Sequence, residues 1–70
     1  MEYYEIVIKG HLDDRRKHLF EGMQLKRLPG GETLLAGELA DQAALHGILS
    51  HIRDLGMPLL SLQRKEKQSK

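Results

Sequence analysis

The segment 42–55 constrains the fold most strongly, because its length, its boundaries and its apolar pattern all indicate one helix. Asp41 stands at the N-cap position, Gly56 stands just past the end, and Pro58 follows two residues later. Five aliphatic side chains recur at helical spacing and form one stripe: Leu45, Ile48, Leu49, Ile52 and Leu55. A single apolar stripe predicts a helix that packs on one face of another layer.

Strands on both sides of this helix are predicted to supply that layer. In the first strand, which opens the segment 3–12, Tyr4, Ile6 and Ile8 alternate with Glu5, Val7 and Lys9. The segment 23–40 is predicted to be a hairpin that reverses at Pro29-Gly30-Gly31. Gly37 in its second strand predicts a bulge or a close backbone approach. Residues 59–63 form the fourth predicted strand.

A short helix is predicted between the first two strands. Asp13 or Asp14 can serve as its N-cap, and Gly22 ends it. The segment from Arg15 to Glu21 then forms one or two turns and buries Leu19 and Phe20.

The order of these elements predicts an α+β domain over residues 1–63, with a basic tail at residues 64–70. The leading architecture is a four-stranded, mainly antiparallel sheet with one long and one short helix on one face, the ferredoxin-like βαββαβ arrangement. If the first helix is too short to return the chain across the sheet, the alternative is a βββαβ meander. The strand order, 4-1-3-2 or 4-1-2-3, stays open between them.

Composition excludes several classes of function. The 70 residues include no cysteine, which removes disulfides and thiolate metal sites. No apolar run is long enough to span a membrane, and no secretory signal is evident, so a cytoplasmic protein is expected. A net charge of +1 argues against a role in nucleic-acid binding, although the basic tail offers a weak route to it.

Two surfaces are candidate interfaces. Small residues on the outer face of the long helix leave a smooth groove: Ala43, Gly47 and Ser50. On the open face of the sheet, Tyr3, Val7 and Leu59 are predicted to form an apolar patch. Either surface suits a second copy of the chain.

The histidines do not form a convincing catalytic or metal site. His46 and His51 are five residues apart, so they do not share a helix face as an i, i+4 pair does. The group of His11, Asp13, Asp14 and His18 matches no specific motif. No catalytic residue, metal ligand or cofactor is therefore predicted.

Two stretches resemble a known group of sequences: residues 4–12 (YEIVIKGHL) and residues 41–49 (DQAALHGIL), the second continuing through 52–61 (IRDLGMPLLS). Together they resemble short, stand-alone prokaryotic proteins that are uncharacterised, over about residues 3–63. This resemblance implies a prokaryotic, cytosolic protein. A weaker similarity, at the level of the fold, is to ACT-type regulatory domains.

The function expected from the sequence is a small non-enzymatic interaction module that forms a homodimer. The alternatives are a small-molecule-binding regulatory domain of ACT-like type and weak nucleic-acid binding through residues 64–70. An unidentified protein partner is also compatible with either surface.

Overall fold

A computed structural model of the chain describes residues 2–65. Its elements follow in the predicted order: β1 (Glu2–Lys9), a 3₁₀ helix (Asp14–Phe20), β2 (Gln24–Leu28), β3 (Glu32–Leu39), α1 (Gln42–Asp54) and β4 (Leu59–Lys65). The α+β class and the four-stranded antiparallel sheet are confirmed. None of the helices in residues 2–65 is both long and apolar enough to cross a membrane.

The sheet has the strand order β2-β3-β1-β4, and every neighbouring pair is antiparallel. Strand β3 lies between β1 and β2, so the meander alternative is wrong. The chain returns across the sheet through residues 10–23, although this connection holds only seven helical residues. A 3₁₀ helix rises ~2.0 Å per residue against ~1.5 Å for an α-helix, which lets a short helix cover more distance.

The first helix is therefore a 3₁₀ helix from Asp14 to Phe20 rather than turns of α-helix from Arg15 to Glu21. Its N-cap is Asp13, whose carboxylate accepts a hydrogen bond from the Arg16 amide at 3.2 Å. The same amide also donates to the Asp13 backbone carbonyl at 3.2 Å, so Asp13 holds the first turn through both its side chain and its main chain.

Helix α1 begins at the predicted residue, Gln42, and ends at Asp54, one residue before the predicted end. The Asp41 carboxylate accepts a hydrogen bond from the Ala44 amide at 2.9 Å and caps the first turn. After the last turn, the Gly56 amide donates to the Arg53 carbonyl at 3.0 Å. The buried stripe comprises Leu45, Ile48 and Ile52, with Leu49 and Leu55 partly buried beside it.

The core lies between the helices and the inner face of β1 and β3. Five side chains in it are fully buried: Ile6, Ile8, Leu35, Thr33 and Phe20, which is the last residue of the 3₁₀ helix. The Thr33 hydroxyl donates to the Gly10 carbonyl at 2.6 Å, so this buried polar group has its partner. Apart from Tyr4, Phe20 and Met23, the buried apolar side chains of the core cluster are aliphatic.

The backbone at Gly22 and Met23 passes unusually close to Gly37 of β3. A Cβ atom at this position would lie 2.8 Å from the Gly22 carbonyl oxygen and 3.1 Å from the Cα of Met23. Gly37 pairs with Tyr4 in an unshifted β1–β3 register, so there is no bulge here. Of the two predictions for Gly37, the close backbone approach is confirmed.

Candidate interaction surface

Strand β4 forms one edge of the sheet and is held to β1 at both ends. The Lys9 amide donates to the Pro58 carbonyl at 2.9 Å, where β4 begins. At the other end, Arg64 forms an ion pair with Glu2 at 3.5 Å, and Lys65 forms one with Glu5 at 3.6 Å. Arg64 and Lys65 therefore belong to the sheet, two residues beyond the predicted domain boundary. The rest of the predicted tail, residues 66–70, lies outside the described residues.

An irregularity in the β1–β4 register changes the face on which Leu59 lies. Val7 is opposite Ser61, but the next residue, Ile8, is opposite Leu59, so β4 contains one extra residue, Leu60. Because directly opposed residues of a sheet share a face, Leu59 lies on the helix-bearing face with Ile8. Regular alternation had predicted Leu59 on the open face. That prediction is wrong because the extra residue reverses the alternation.

Three leucines of β4 are exposed, and we call them the leucine strip: Leu59, Leu60 and Leu62. Their exposed fractions are 47%, 47% and 40%. Leu62 lies directly opposite Ile6, which has no exposed surface at all. The exposed fraction therefore rises from 0% at Ile6 to 40% at Leu62 on the neighbouring strand. The reason is that α1 packs on β3 and the 3₁₀ helix. The helical layer leaves the leucines of β4 only partly covered.

The two edges of the sheet differ in how well they are protected from association. Strand β2 has five residues, carries Lys26 and Arg27, and is followed directly by Pro29. Short length, basic side chains and proline are the features that discourage an edge from pairing. Strand β4 has seven residues and bears the leucine strip. The β4 edge is thus the more suitable one for binding another chain.

The predicted patch on the open face is divided in the structure. Tyr3 and Val7 are both half-buried and point to this face, but Glu5 lies between them on β1. Tyr3 is opposite Glu38 on β3 and Lys65 on β4, so its neighbours are charged. With Leu59 on the other face, the three predicted residues do not come together.

The small residues of α1 lie on its outer face, as predicted. Ala43 and Gly47 are exposed and Ser50 is half-buried. A Cβ atom at Gly47 would meet no atom within 4 Å. Nothing in residues 2–65 therefore offsets the cost of a glycine in the middle of this helix.

Replacing Gly47 with alanine is expected to raise the free energy of unfolding by about 1 kcal/mol, because alanine is the better helix former by that amount and space is available. Urea unfolding followed by circular dichroism measures the change. A loss of stability would mean that the outer face of α1 is in close contact with something, as the groove hypothesis requires.

Three of the polar groups that could suggest chemistry have structural partners: Asp13, His18 and His51. Asp13 caps the 3₁₀ helix, and a ring nitrogen of His18 lies 2.9 Å from the Arg15 carbonyl oxygen in the same helix. His51 on α1 meets the ring of Phe20 edge-on, with the ring centres 6.1 Å apart, and His46 is exposed. Among the side chains that the structure describes in residues 2–65, which do not include that of Asp14, no three from histidine or acidic residues are close enough together to hold a metal ion.

Comparison with known sequences assigns the chain to a family. The profile of a family described as a domain of unknown function, DUF8691, matches residues 3–63. The chain belongs to the DUF8691 family. The match covers β1 through most of β4, so the family extends over both the core and the leucine strip. No curated protein and no solved structure matches the chain.

The DUF8691 domain also has a small hollow between the 3₁₀ helix and β2. It encloses about 50 Å³ and is lined by Leu12, Lys17, Leu25, Lys26, Arg27 and Thr33. Sites for small organic molecules usually enclose roughly 300–1,000 Å³. The hollow is therefore well below the size of an ordinary small-molecule site and gives the ACT-like alternative no support.

Sequence reasoning missed Leu60 and Leu62 as surface residues of this DUF8691 domain. A mainly apolar run, Leu59-Leu60-Ser61-Leu62, is followed closely by a basic segment. This pattern is a weak signal of an edge strand whose apolar side chains remain exposed. The signal could not be interpreted from the sequence, because the run fits a covered strand equally well. Only the placement of α1 over β3 leaves these leucines exposed.

Proposed function

We propose that this DUF8691 domain is a non-enzymatic interaction module that associates with a second copy of itself through the leucine strip. The observation that carries the proposal is the exposure of Leu59, Leu60 and Leu62 together on an edge strand. Large apolar side chains clustered on an edge are unfavourable in water and mark surfaces that bind another chain. Burying them against an identical strip removes both from water.

Charge supports a second copy as the partner. The two cations of β4 already have acidic neighbours on β1, since Arg64 pairs with Glu2 and Lys65 with Glu5. The edge therefore does not require an acidic partner. An apolar strip of this kind is complementary to itself.

The size of the domain gives association a physical benefit. A chain of 70 residues is expected to have a free energy of unfolding of only about 3.5–10 kcal/mol. Small domains often compensate for a limited core by forming oligomers. Association through β4 would extend the core of each copy beyond its uncovered edge.

We also propose that the architecture is ferredoxin-like. The order β2-β3-β1-β4 with antiparallel neighbours supports this, as does the position of a helical segment in each of the two connections between parallel strands. In such an arrangement one sheet face carries the helices, and the edges remain available for association.

Replacing Leu62 with serine tests the proposal. Light scattering over a concentration series is expected to give the wild-type chain twice its 8.0 kDa mass. Two lost leucines per dimer, at about 1.5 kcal/mol each, correspond to a dissociation constant about 100-fold higher. Leu62→Ser is therefore expected to be monomeric at concentrations where the wild type is a dimer.

Leu28→Ser is the matched control, because Leu28 is an apolar residue on the opposite edge strand and lies only partly buried. This variant is expected to keep the wild-type mass. A wild-type chain that stays monomeric at every concentration would overturn the proposed function. So would equal effects of the two substitutions on the mass of folded protein.

A further inference from the structure

We infer that two copies join by antiparallel main-chain pairing of their β4 strands, which centres on Leu62 and produces one continuous eight-stranded sheet. This inference rests on the proposed function and specifies how the second copy binds. It concerns the backbone of β4 as well as the leucine strip.

The outer side of β4 provides the hydrogen-bonding groups. A strand bonded to a neighbour on one side directs the N–H and C=O groups of alternate residues away from that neighbour. Within residues 2–65, β4 pairs with β1 alone, so alternate residues of its seven direct their N–H and C=O groups outward. An identical strand is the partner that matches their spacing.

Charge selects the antiparallel direction. Arg64 and Lys65 lie at one end of β4, and Leu59 and Leu60 lie at the other. Parallel pairing would place the basic ends of both copies side by side. Antiparallel pairing separates them and brings each basic end against the apolar start of the partner strand, where the stem of Arg64 can cover a leucine.

The symmetry of the dimer and the length of β4 determine which residue lies at the centre of the pairing. A two-fold axis normal to a sheet must pass beside one residue and its own copy, because directly opposed residues share a face. Leu62 is the middle residue of β4, so an axis there gives the greatest overlap of the two strands, with regular pairing over residues 61–63 and an interruption at the extra residue Leu60. Leu62 would then contact its own copy, and Ser61 would lie opposite Gln63 of the second copy.

The same axis keeps both helical layers on one side of the sheet. The strip residues Leu59 and Leu62 lie on that side, since they are opposite Ile8 and Ile6. Pairing of β4 with β4 therefore brings the two uncovered strips together between the two helical layers. Main-chain pairing and burial of the leucines are satisfied by one arrangement.

Disulfide trapping tests this register without altering the leucine strip. The chain has no cysteine, so Ser61→Cys and Gln63→Cys each introduce one defined thiol. With the axis at Leu62, an equimolar mixture of the two variants is expected to form a disulfide-linked heterodimer in most molecules under a glutathione redox buffer. Opposed Cα atoms in a sheet lie within the range that a disulfide spans.

Each variant alone is the control. With the axis at Leu62, position 61 and its own copy would be about 8 Å apart at their Cα atoms, too far for an unstrained disulfide, and the same holds for position 63. Each variant alone is thus expected to crosslink at least tenfold less than the mixture. Efficient crosslinking of one variant with itself would overturn the register.

The masses of the same samples before oxidation separate the two proposals. Dimers that fail to crosslink in the mixture would overturn main-chain pairing centred on Leu62 but leave association through the leucine strip intact. Monomers in every sample would overturn the proposed function itself. Dimers that crosslink only in the mixture support both.

Discussion

Phe20→Ala is expected to lower the free energy of unfolding by about 3–5 kcal/mol, which is a large part of the stability of a 70-residue chain. Phe20 has no exposed surface, and its ring meets His51 of α1 edge-on. Together with the partly buried Leu19, it fixes the 3₁₀ helix to the core. Truncation would leave a cavity that neither the sheet nor α1 can readily fill.

Thermal unfolding followed by circular dichroism measures this effect, at one protein concentration for all variants because association stabilises the folded state. The expected decrease in Tm is at least about 12 °C, since 1 kcal/mol corresponds to about 4–8 °C at this size. Phe20→Leu, which keeps most of the volume, is the control and is expected to lose less than about 1.5 kcal/mol. A loss below 1 kcal/mol for Phe20→Ala would contradict the packing of the 3₁₀ helix described above.

Gly37→Ala is expected to destabilise the domain by about 1–3 kcal/mol, the usual cost of adding a methyl group where there is no room. The obstructing atoms are the carbonyl oxygen of Gly22 and the Cα of Met23. Both belong to the backbone, so a side-chain rotation cannot relieve the contact. The segment between the 3₁₀ helix and β2 would have to move away from β3.

Gly47→Ala is the matched control for Gly37→Ala, because the same substitution has the same effect on the flexibility of the unfolded chain. The two variants are expected to change the free energy of unfolding in opposite directions in urea titrations. A Gly37→Ala variant as stable as Gly47→Ala would show that the approach of Gly22 to β3 is not close in solution.

The sequence predicted the elements because their signals are local. The cap at Asp41, the glycine and proline after α1, and the alternation in β1 each depend on a few neighbouring residues. The fold class followed from their order. The strand order and the 3₁₀ geometry did not follow, because both depend on how residues 10–23 cross the sheet.

The candidate surface was predicted less well, for two physical reasons. An extra residue in β4 reverses the face of Leu59, and no local signal in Pro58-Leu59-Leu60 distinguishes this from regular alternation. Exposure of Leu62 depends on where α1 lies over the sheet, which is a property of the tertiary structure. The outer face of α1 was predicted well, since helical periodicity alone determines it.

The central position of β1 has a consequence for how the chain folds. Its residue Ile6 is paired with Leu35 on one side and Leu62 on the other, so partners of one strand come from widely separated parts of the sequence. Such long-range contacts require closure of large loops before they contribute any stability, which slows folding. Neither the β1–β3 portion nor the α1–β4 portion contains a complete sheet and helix layer, so we expect this domain to form its native structure as one cooperative unit.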